Sequence, residues 1–303
     1  MTVLLTGAAG LVGMAVRAAL KAAGRSFIPI DITAFGRDDP DLVVMPLDDR
    51  PMLESLIRTQ AIRAIIHCGA ISGPMLAKGQ PLALVSANID TTALLLDLAR
   101  THAMRRFVLC SSISVYGDVG AAAIDEATPL RPTSVYGATK VACEQLIGGF
   151  AEEYGLDGVS LRISRIYGPY RRANCHIKAL LEDAAAGRET AIPCNPAFIY
   201  HYVYVDDVAG AILACLDAPR LPHRAYNIGS GEALTMPQIL AAATSAIPAL
   251  RARLAPGEDD VPDRQTAFDI RLIAEDLGWR PSHDISRGML AYRAALGVEA
   301  RSF

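Results

Sequence analysis

The chain has 303 residues, 51% of them hydrophobic, which is enough for one large domain or two with a substantial core. Its 29 basic and 32 acidic residues are spread without long blocks and leave a formal net charge of -3, so there is no electrostatic footprint for nucleic acid or an anionic membrane, and a small molecule is the expected partner. No apolar run reaches the roughly eighteen residues of a membrane span, and the first expected strand starts too early to leave room for a signal peptide, which points to a cytoplasmic protein.

A strand over 3–5 leads into the glycine-rich turn Thr6-Gly7-Ala8-Ala9-Gly10-Leu11-Val12-Gly13, a helix over about 11–23 and a second strand over 27–30 that ends at Asp31. Between strand and helix each glycine of this GxxGxxG spacing has a job. Gly7 allows the tight turn, Gly10 lets the backbone approach a pyrophosphate, and Gly13 lets the helix pack close to the strand. Ala9, Leu11 and Val12 fill the turn, and the helix start directs N–H groups and a positive dipole at the anion. Asp31 closes the next strand, 24 positions beyond Gly7, where a carboxylate accepts hydrogen bonds from both adenosine ribose hydroxyls. The same carboxylate repels a 2'-phosphate and neither Ile32 nor Thr33 is an arginine, so NAD is expected over NADP, with Arg37 close enough to blur the preference.

The rhythm then repeats, with strands expected over 42–45, 64–67, 107–109 and 158–161 and helices over 51–60, 82–102, 136–154 and 205–217. Strands separated by helices imply parallel pairing, hence an α/β, doubly wound sheet. Residues 1–166 plus about 201–218 are assigned to it. The proline- and arginine-rich stretches 167–200 and 219–303 are expected to form a smaller, discontinuous C-terminal lobe that holds substrate. Six cysteines lack any metal-ligand spacing, and the adjacent pairs His67-Cys68 and Cys175-His176 aim poorly at a single ion, so no metal is expected.

Tyr136 and Lys140 stand at i and i+4 of the helix expected over 136–154, so phenol and ammonium share one face. A unit positive charge at roughly 4 Å in an effective dielectric of about 20 is worth about 4 kcal/mol, which favours the phenolate and suits Tyr136 to proton transfer.

With these residues in place the chain resembles, over nearly its whole length, the extended branch of the short-chain dehydrogenase/reductase superfamily, the NAD-dependent epimerase/dehydratase family. The resemblance rests on the glycine turn, Asp48, Ile66-His67-Cys68-Gly69-Ala70, Asn88, the run from Arg106 to Gly117, Tyr136 to Lys140, Leu161-Arg162, Tyr167-Gly168-Pro169 and Val205 to Ala209. It implies a Rossmann-type fold, with Tyr136 as general base, Lys140 binding the nicotinamide ribose and favouring the phenolate, and Ser112 hydrogen-bonding the reacting hydroxyl. Ser111 is the neighbour most easily confused with Ser112. The resemblance also sets Asp48 near adenine and the Cys68-Gly69-Ala70 segment along the cofactor, with Asn88 supporting that layer.

The pattern departs from the family in two respects. Dehydratases of the family carry an Asp-Glu pair where this chain has Ile113 and Ser114, so a 4,6-dehydratase is not expected. UDP-sugar epimerases commonly carry an asparagine where this chain has Arg165 and an arginine where it has Tyr200, so the usual diphosphate clamp is not reproduced. Arg165, Arg171, Arg172 and Arg264 remain available to an anionic substrate. The expected activity is oxidation of a secondary alcohol of a sugar or sugar-acid-like substrate with NAD. A nucleotide-sugar 4-epimerase with a transient keto intermediate is the alternative, and a non-catalytic redox sensor the remote one. Helices 82–102 and 136–154, apolar on more than one face, are expected to pair in a homodimer.

Overall fold

The computed structural model describes residues 1–73, 79–120, 123–173, 175–258 and 263–299. The first half runs β1 (Thr2–Thr6), α1 (Leu11–Ala22), β2 (Phe27–Asp31), β3 (Val43–Val44), α2 (Arg50–Thr59), β4 (Ile62–His67), α3 (Pro81–Val85) and α4 (Thr91–Thr101). Next come β5 (Arg106–Ser112), β6 (Ala123–Ile124), α5 (Val135–Tyr154) and β7 (Gly158–Ile163). The remainder begins with β8 (Arg165–Tyr167), α6 (His176–Ala185), β9 (Glu189–Cys194), β10 (Ile199–Tyr200), β11 (Tyr202–Tyr204) and α7 (Val205–Asp217). It closes with β12 (Ala225–Ile228), β13 (Leu234–Thr235), α8 (Met236–Ala246), β14 (Arg251–Pro256), β15 (Ala267–Phe268), α9 (Arg271–Leu277) and α10 (Ile285–Glu299).

Seven strands form one parallel sheet in the order β12-β7-β5-β4-β1-β2-β3. Side chains alternate across a strand, and here both faces are apolar. Val3 and Leu5 of β1, Ala64 and Ile66 of β4 and Val159 and Leu161 of β7 join a core with α1 and α7. Leu4, Ile65, Phe107 and Leu109 point the other way, into a core with α2, α4 and α5. The strand order reverses between β1 and β4, and ligands of open α/β sheets bind in the crevice at such a switch point. The glycine turn that follows β1 and the Cys68-Gly69-Ala70 segment that follows β4 leave the sheet on either side of that crevice.

Three expectations need adjustment. The helix expected over 82–102 begins at Pro81 and carries a wider π-helical turn over Ser86–Asp90. Pro81–Thr101 is also long and apolar enough, by length and composition, to cross a membrane, contrary to the reading that no such run exists. Its Leu84, Leu95, Leu96 and Leu98 are buried within the protein. The third adjustment concerns β12, which lies in the stretch assigned to the lobe yet pairs with β7 as the edge of the main sheet. The lobe has its own core, in which Tyr200, Tyr202 and Tyr204 pack with Ile177, Met236 and Tyr292.

Candidate active site

At the cofactor end the turn after β1 is built for close approach. Gly7 has a φ of +66°, and a Cβ there would stand 2.5 Å from the Gly69 nitrogen; a Cβ on Gly13 would meet the Gly7 oxygen at 2.1 Å. Both glycines are dictated by packing. Gly10 is different, since a Cβ there would meet only the Gly7 oxygen, at 3.2 Å, so the space beside it is open to a ligand. Asp31 is buried, and its two oxygens accept from the N–H groups of Ala9 at 2.9 Å and Ile32 at 2.8 Å, which fixes the carboxylate at the rim of the turn. The Arg37 guanidinium donates to the Ala9 carbonyl at 2.8 Å, at the same edge. Leu11 and Val12 begin α1 and pack on the core beneath it. An open Gly10, a fixed carboxylate and a helix start together fit NAD.

The opposite wall follows β4. Thr6 bridges it, because its hydroxyl lies 2.6 Å from His67 Nδ1 and accepts from the Gly69 N–H at 3.2 Å. Burial, and then the Lys140 ammonium, push the His67 imidazole down to about 3, so it is neutral across the physiological range. The Cys68 thiol lies 3.4 Å from the Cys110 thiol, and that hydrogen bond together with burial holds it well above the ordinary thiol range. Ala70 leads on to Ile71, whose N–H and carbonyl are both held by the side chain of Asn88, at 2.9 and 3.3 Å. Asn88, itself buried, also donates to Thr139 of α5 at 3.0 Å and so ties the segment after β4 to α5. Asp48 is exposed beyond β3; its neighbour Leu47 would lie 3.0 Å from a Cβ on Gly69.

The residues expected to be catalytic lie where β5 ends. Ser134 caps α5 by accepting from the Gly137 N–H at 3.1 Å. A Cβ on Gly137 would stand 2.4 Å from the Ser114 oxygen, so the first turn of the helix presses against the short 3-10 turn Ile113–Val115 that follows Ser112. This brings Tyr136 and Lys140, both buried, beside the end of β5. Lys140 Nζ donates to the Cys110 carbonyl at 2.8 Å and stands 5.9 Å from the centre of the Tyr136 ring. The Ser112 oxygen accepts from the Ser114 N–H at 3.2 Å, which leaves the Ser112 hydroxyl proton to be donated elsewhere. Ser111 is otherwise engaged: its hydroxyl donates to Glu144 of α5. Glu144 in turn binds Arg162 through Nη2 at 2.8 Å and Nε at 3.0 Å in a buried ion pair.

The arginines expected around the substrate are separated. Arg165 stacks over Tyr200 and Tyr202 in the lobe. Arg172 lies 3.9 Å over the ring of Phe35, a few residues beyond β2. Arg171 donates to the Ile166 carbonyl at 2.8 Å. The Arg264 side chain is exposed, while its backbone N–H donates to Asp118 at 2.7 Å. Sequence reading missed several participants. Glu144 stands one turn beyond Lys140 on the Tyr136–Lys140 stripe and was findable by that spacing. Gln265 donates to the carbonyls of Ile113 at 3.3 Å and Gly117 at 2.9 Å and so steadies the turn beside Ser112 from the lobe, with no local signal in its sequence.

Known proteins resemble the chain over nearly its whole length. The model of the NAD dependent epimerase/dehydratase family matches residues 3–229. UDP-glucose 4-epimerase of Corynebacterium glutamicum is 27% identical across 98% of this chain and 97% of its own length. Among solved structures, UDP-glucose 4-epimerase of Thermus thermophilus in complex with NAD is 26% identical with a TM-score of 0.84, covering 97% of this chain and 98% of that one. MoeE5 in complex with UDP-glucuronic acid and NAD is 25% identical with a TM-score of 0.86, and the match covers 100% of both chains.

Proposed function

The chain belongs to the NAD dependent epimerase/dehydratase family, and from that premise we propose that it oxidises a secondary alcohol of a sugar or sugar-acid substrate, with Tyr136 accepting the proton of the reacting hydroxyl. NAD, when bound, supplies the hydride acceptor. The observation that carries the reading is that buried Tyr136 and Lys140 lie beside the end of β5, where Lys140 donates to the Cys110 carbonyl and the first turn of α5 presses on the turn that follows buried Ser112.

Each residue has a defined task. Ser112 donates its remaining proton to the substrate oxygen and holds that oxygen against Tyr136. Lys140, fixed on the Cys110 carbonyl, keeps a positive charge beside the phenol and meets the nicotinamide ribose. Gly7, Gly10 and Gly13 admit the pyrophosphate, Asp31 takes the adenosine ribose, Asp48 lies toward adenine, and Asn88 holds the wall that runs along the cofactor. Ser111, bound to Glu144, is given to anchoring the helix. Arg172, on Phe35, is given to the adenosine end. Arg264 is left at the outer rim, with its backbone on Asp118. The assembly is proposed as a cytoplasmic homodimer acting on a small molecule.

The relatives favour a second reading, a nucleotide-sugar 4-epimerase in which the ketone is retained and reduced on its other face. A panel of sugars, sugar acids and nucleotide sugars separates the two. Stoichiometric NADH release supports the dehydrogenase, whereas inverted product with NAD retained on the protein supports the epimerase. Neither NADH nor altered stereochemistry from any member would count against both and would leave the redox sensor.

A further inference from the structure

Cys68 directly follows β4, and Cys110 lies within β5, the neighbouring strand. His67 and Leu109 are partners in that parallel pair, so Cys68 and Cys110 are the next two residues across, and both pack into the core that the sheet shares with α1 and α7. Adjacent strands run about 4.8 Å apart, inside the separation of about 4.4–6.8 Å between α-carbons that a disulfide spans. The two thiols are already in contact, with their sulfurs 3.4 Å apart. The other four cysteines stand on separate elements, Cys143 on α5, Cys175 at the cap of α6, Cys194 on β9 and Cys215 on α7. Exposure divides the pair into two roles, because Cys68 is half-buried and open to a small reagent whereas Cys110 is buried.

Each end of the pair is tied to a part of the molecule that the cofactor reading uses. The Gly69 nitrogen and the Cys68 carbonyl carbon would stand 2.5 and 2.6 Å from a Cβ on Gly7, so the backbone that carries Cys68 lies directly against the glycine turn. The Cys110 carbonyl accepts from Lys140 Nζ at 2.8 Å. Drawing the sulfurs from contact to the roughly 2.0 Å of a covalent bond therefore pulls on the glycine turn and on the anchor of Lys140 together.

We propose that Cys68 and Cys110 are a thiol pair that a peroxide converts to a disulfide, and that this disulfide and bound NAD oppose one another. The Cys68 thiolate attacks the peroxide: an S–O bond forms, the O–O bond breaks and hydroxide leaves, giving a sulfenic acid. The Cys110 sulfur then displaces that oxygen; an S–S bond replaces the S–O bond, and the Cys110 proton leaves with the hydroxyl as water. Two thiols are oxidised and one peroxide is reduced to two molecules of water. The hydrogen bond to Cys110 and burial hold the Cys68 thiol well above the ordinary range, so the thiolate is scarce near neutrality and the pair stays reduced until peroxide is abundant. From the reading above the proposal takes only that NAD lies along the Cys68-Gly69-Ala70 segment, and it adds a modification that controls NAD binding. Coupling between two such events is reciprocal, so NAD protects the thiols to the extent that the disulfide weakens NAD.

The test treats the wild-type protein with excess hydrogen peroxide, with and without saturating NAD, and maps the cysteines by mass spectrometry after digestion without reductant. Calorimetry then gives the NAD affinity of the bridged protein and of the same protein after dithiothreitol. A Cys68–Cys110 bridged peptide that dithiothreitol separates is expected, formed more slowly when NAD is present, with NAD binding about tenfold or more weaker in the bridged protein and restored by dithiothreitol. Cys110→Ser is expected to form no bridge and to leave Cys68 carrying oxygen instead. A wild-type protein in which Cys68 gains oxygen or stays free without bridging overturns the proposal, as does a bridged protein that binds NAD as tightly as the reduced one. Neither measurement involves a substrate, so failure of the oxidoreductase reading is distinguished from failure of the bridge.

Discussion

A single histidine shows how tightly the cofactor wall is specified. His67 is fully buried beside Thr6 and within the influence of Lys140, and these surroundings hold its imidazole down at about 3 against an ordinary value of 6.5. The folded protein refuses a proton that the unfolded chain takes up, so this contribution to stability is fully present above about pH 6.5 and is lost as the pH falls toward 3, at up to about 1.4 kcal/mol per pH unit. Lowering the pH from about 7.5 to about 5 is therefore expected to cost the wild-type protein about 2 kcal/mol more than His67→Gln, measured by urea unfolding. Equal losses in the two proteins would show that His67 does not carry the effect. Residue identity was legible where a backbone demanded it, as at Gly7 and Gly13, and where a short-range motif framed it, as at Asp31, Tyr136 and Lys140. At Ser111 and Ser112 it rested on the family resemblance alone. Adjacent strand residues point to opposite faces, and which face meets Glu144 depends on a helix 33 positions away.

At the scale of the element, α5 is the part on which the proposed chemistry depends. One stripe of the helix carries Tyr136, Lys140 and Glu144, and Glu144 fastens it to β7 through Arg162, which also donates to Tyr116 at 2.8 Å and to the Glu126 carbonyl at 2.9 Å. Removing one member of a buried ion pair leaves the other charged and desolvated, a loss of about 3–5 kcal/mol. Glu144→Gln is expected to lower unfolding stability by that amount in urea titrations, and a loss below about 1 kcal/mol would mean that the pair does not anchor the helix. The helix could be read from its sequence because its cap and length are local properties. Its pressure on the turn after Ser112 and the support of that turn by Gln265 were not, because Gln265 lies 152 residues from Ile113 and nothing near it in the chain announces the contact.

For the whole molecule, the doubly wound sheet was legible from the alternation of apolar strands and alanine-rich helices, but its last strand was not. β12 is four residues long and joins β7 by long-range parallel pairing after a long excursion, so its own sequence reads as lobe. The outer face of α5 also looks outward. Gly148 and Gly149 have open space beside them, and Ile89, Leu146 and Phe150 line a shallow groove of about 530 Å³ along that face. A second copy packing α5 and its neighbour against the same helices would cover it. Sedimentation equilibrium should therefore give twice the 32.2 kDa chain mass, and Leu146→Glu should return the monomer. A wild-type monomer at micromolar concentration would contradict the dimer. The proposed function depends on the site where the sheet, the segment after β4 and α5 meet, and the most direct test is single-turnover hydride transfer in Tyr136→Phe set beside NAD affinity in the same protein. Transfer about 10²- to 10⁴-fold slower with NAD affinity unchanged is the expected result, whereas transfer at the wild-type rate would contradict Tyr136 as the proton acceptor.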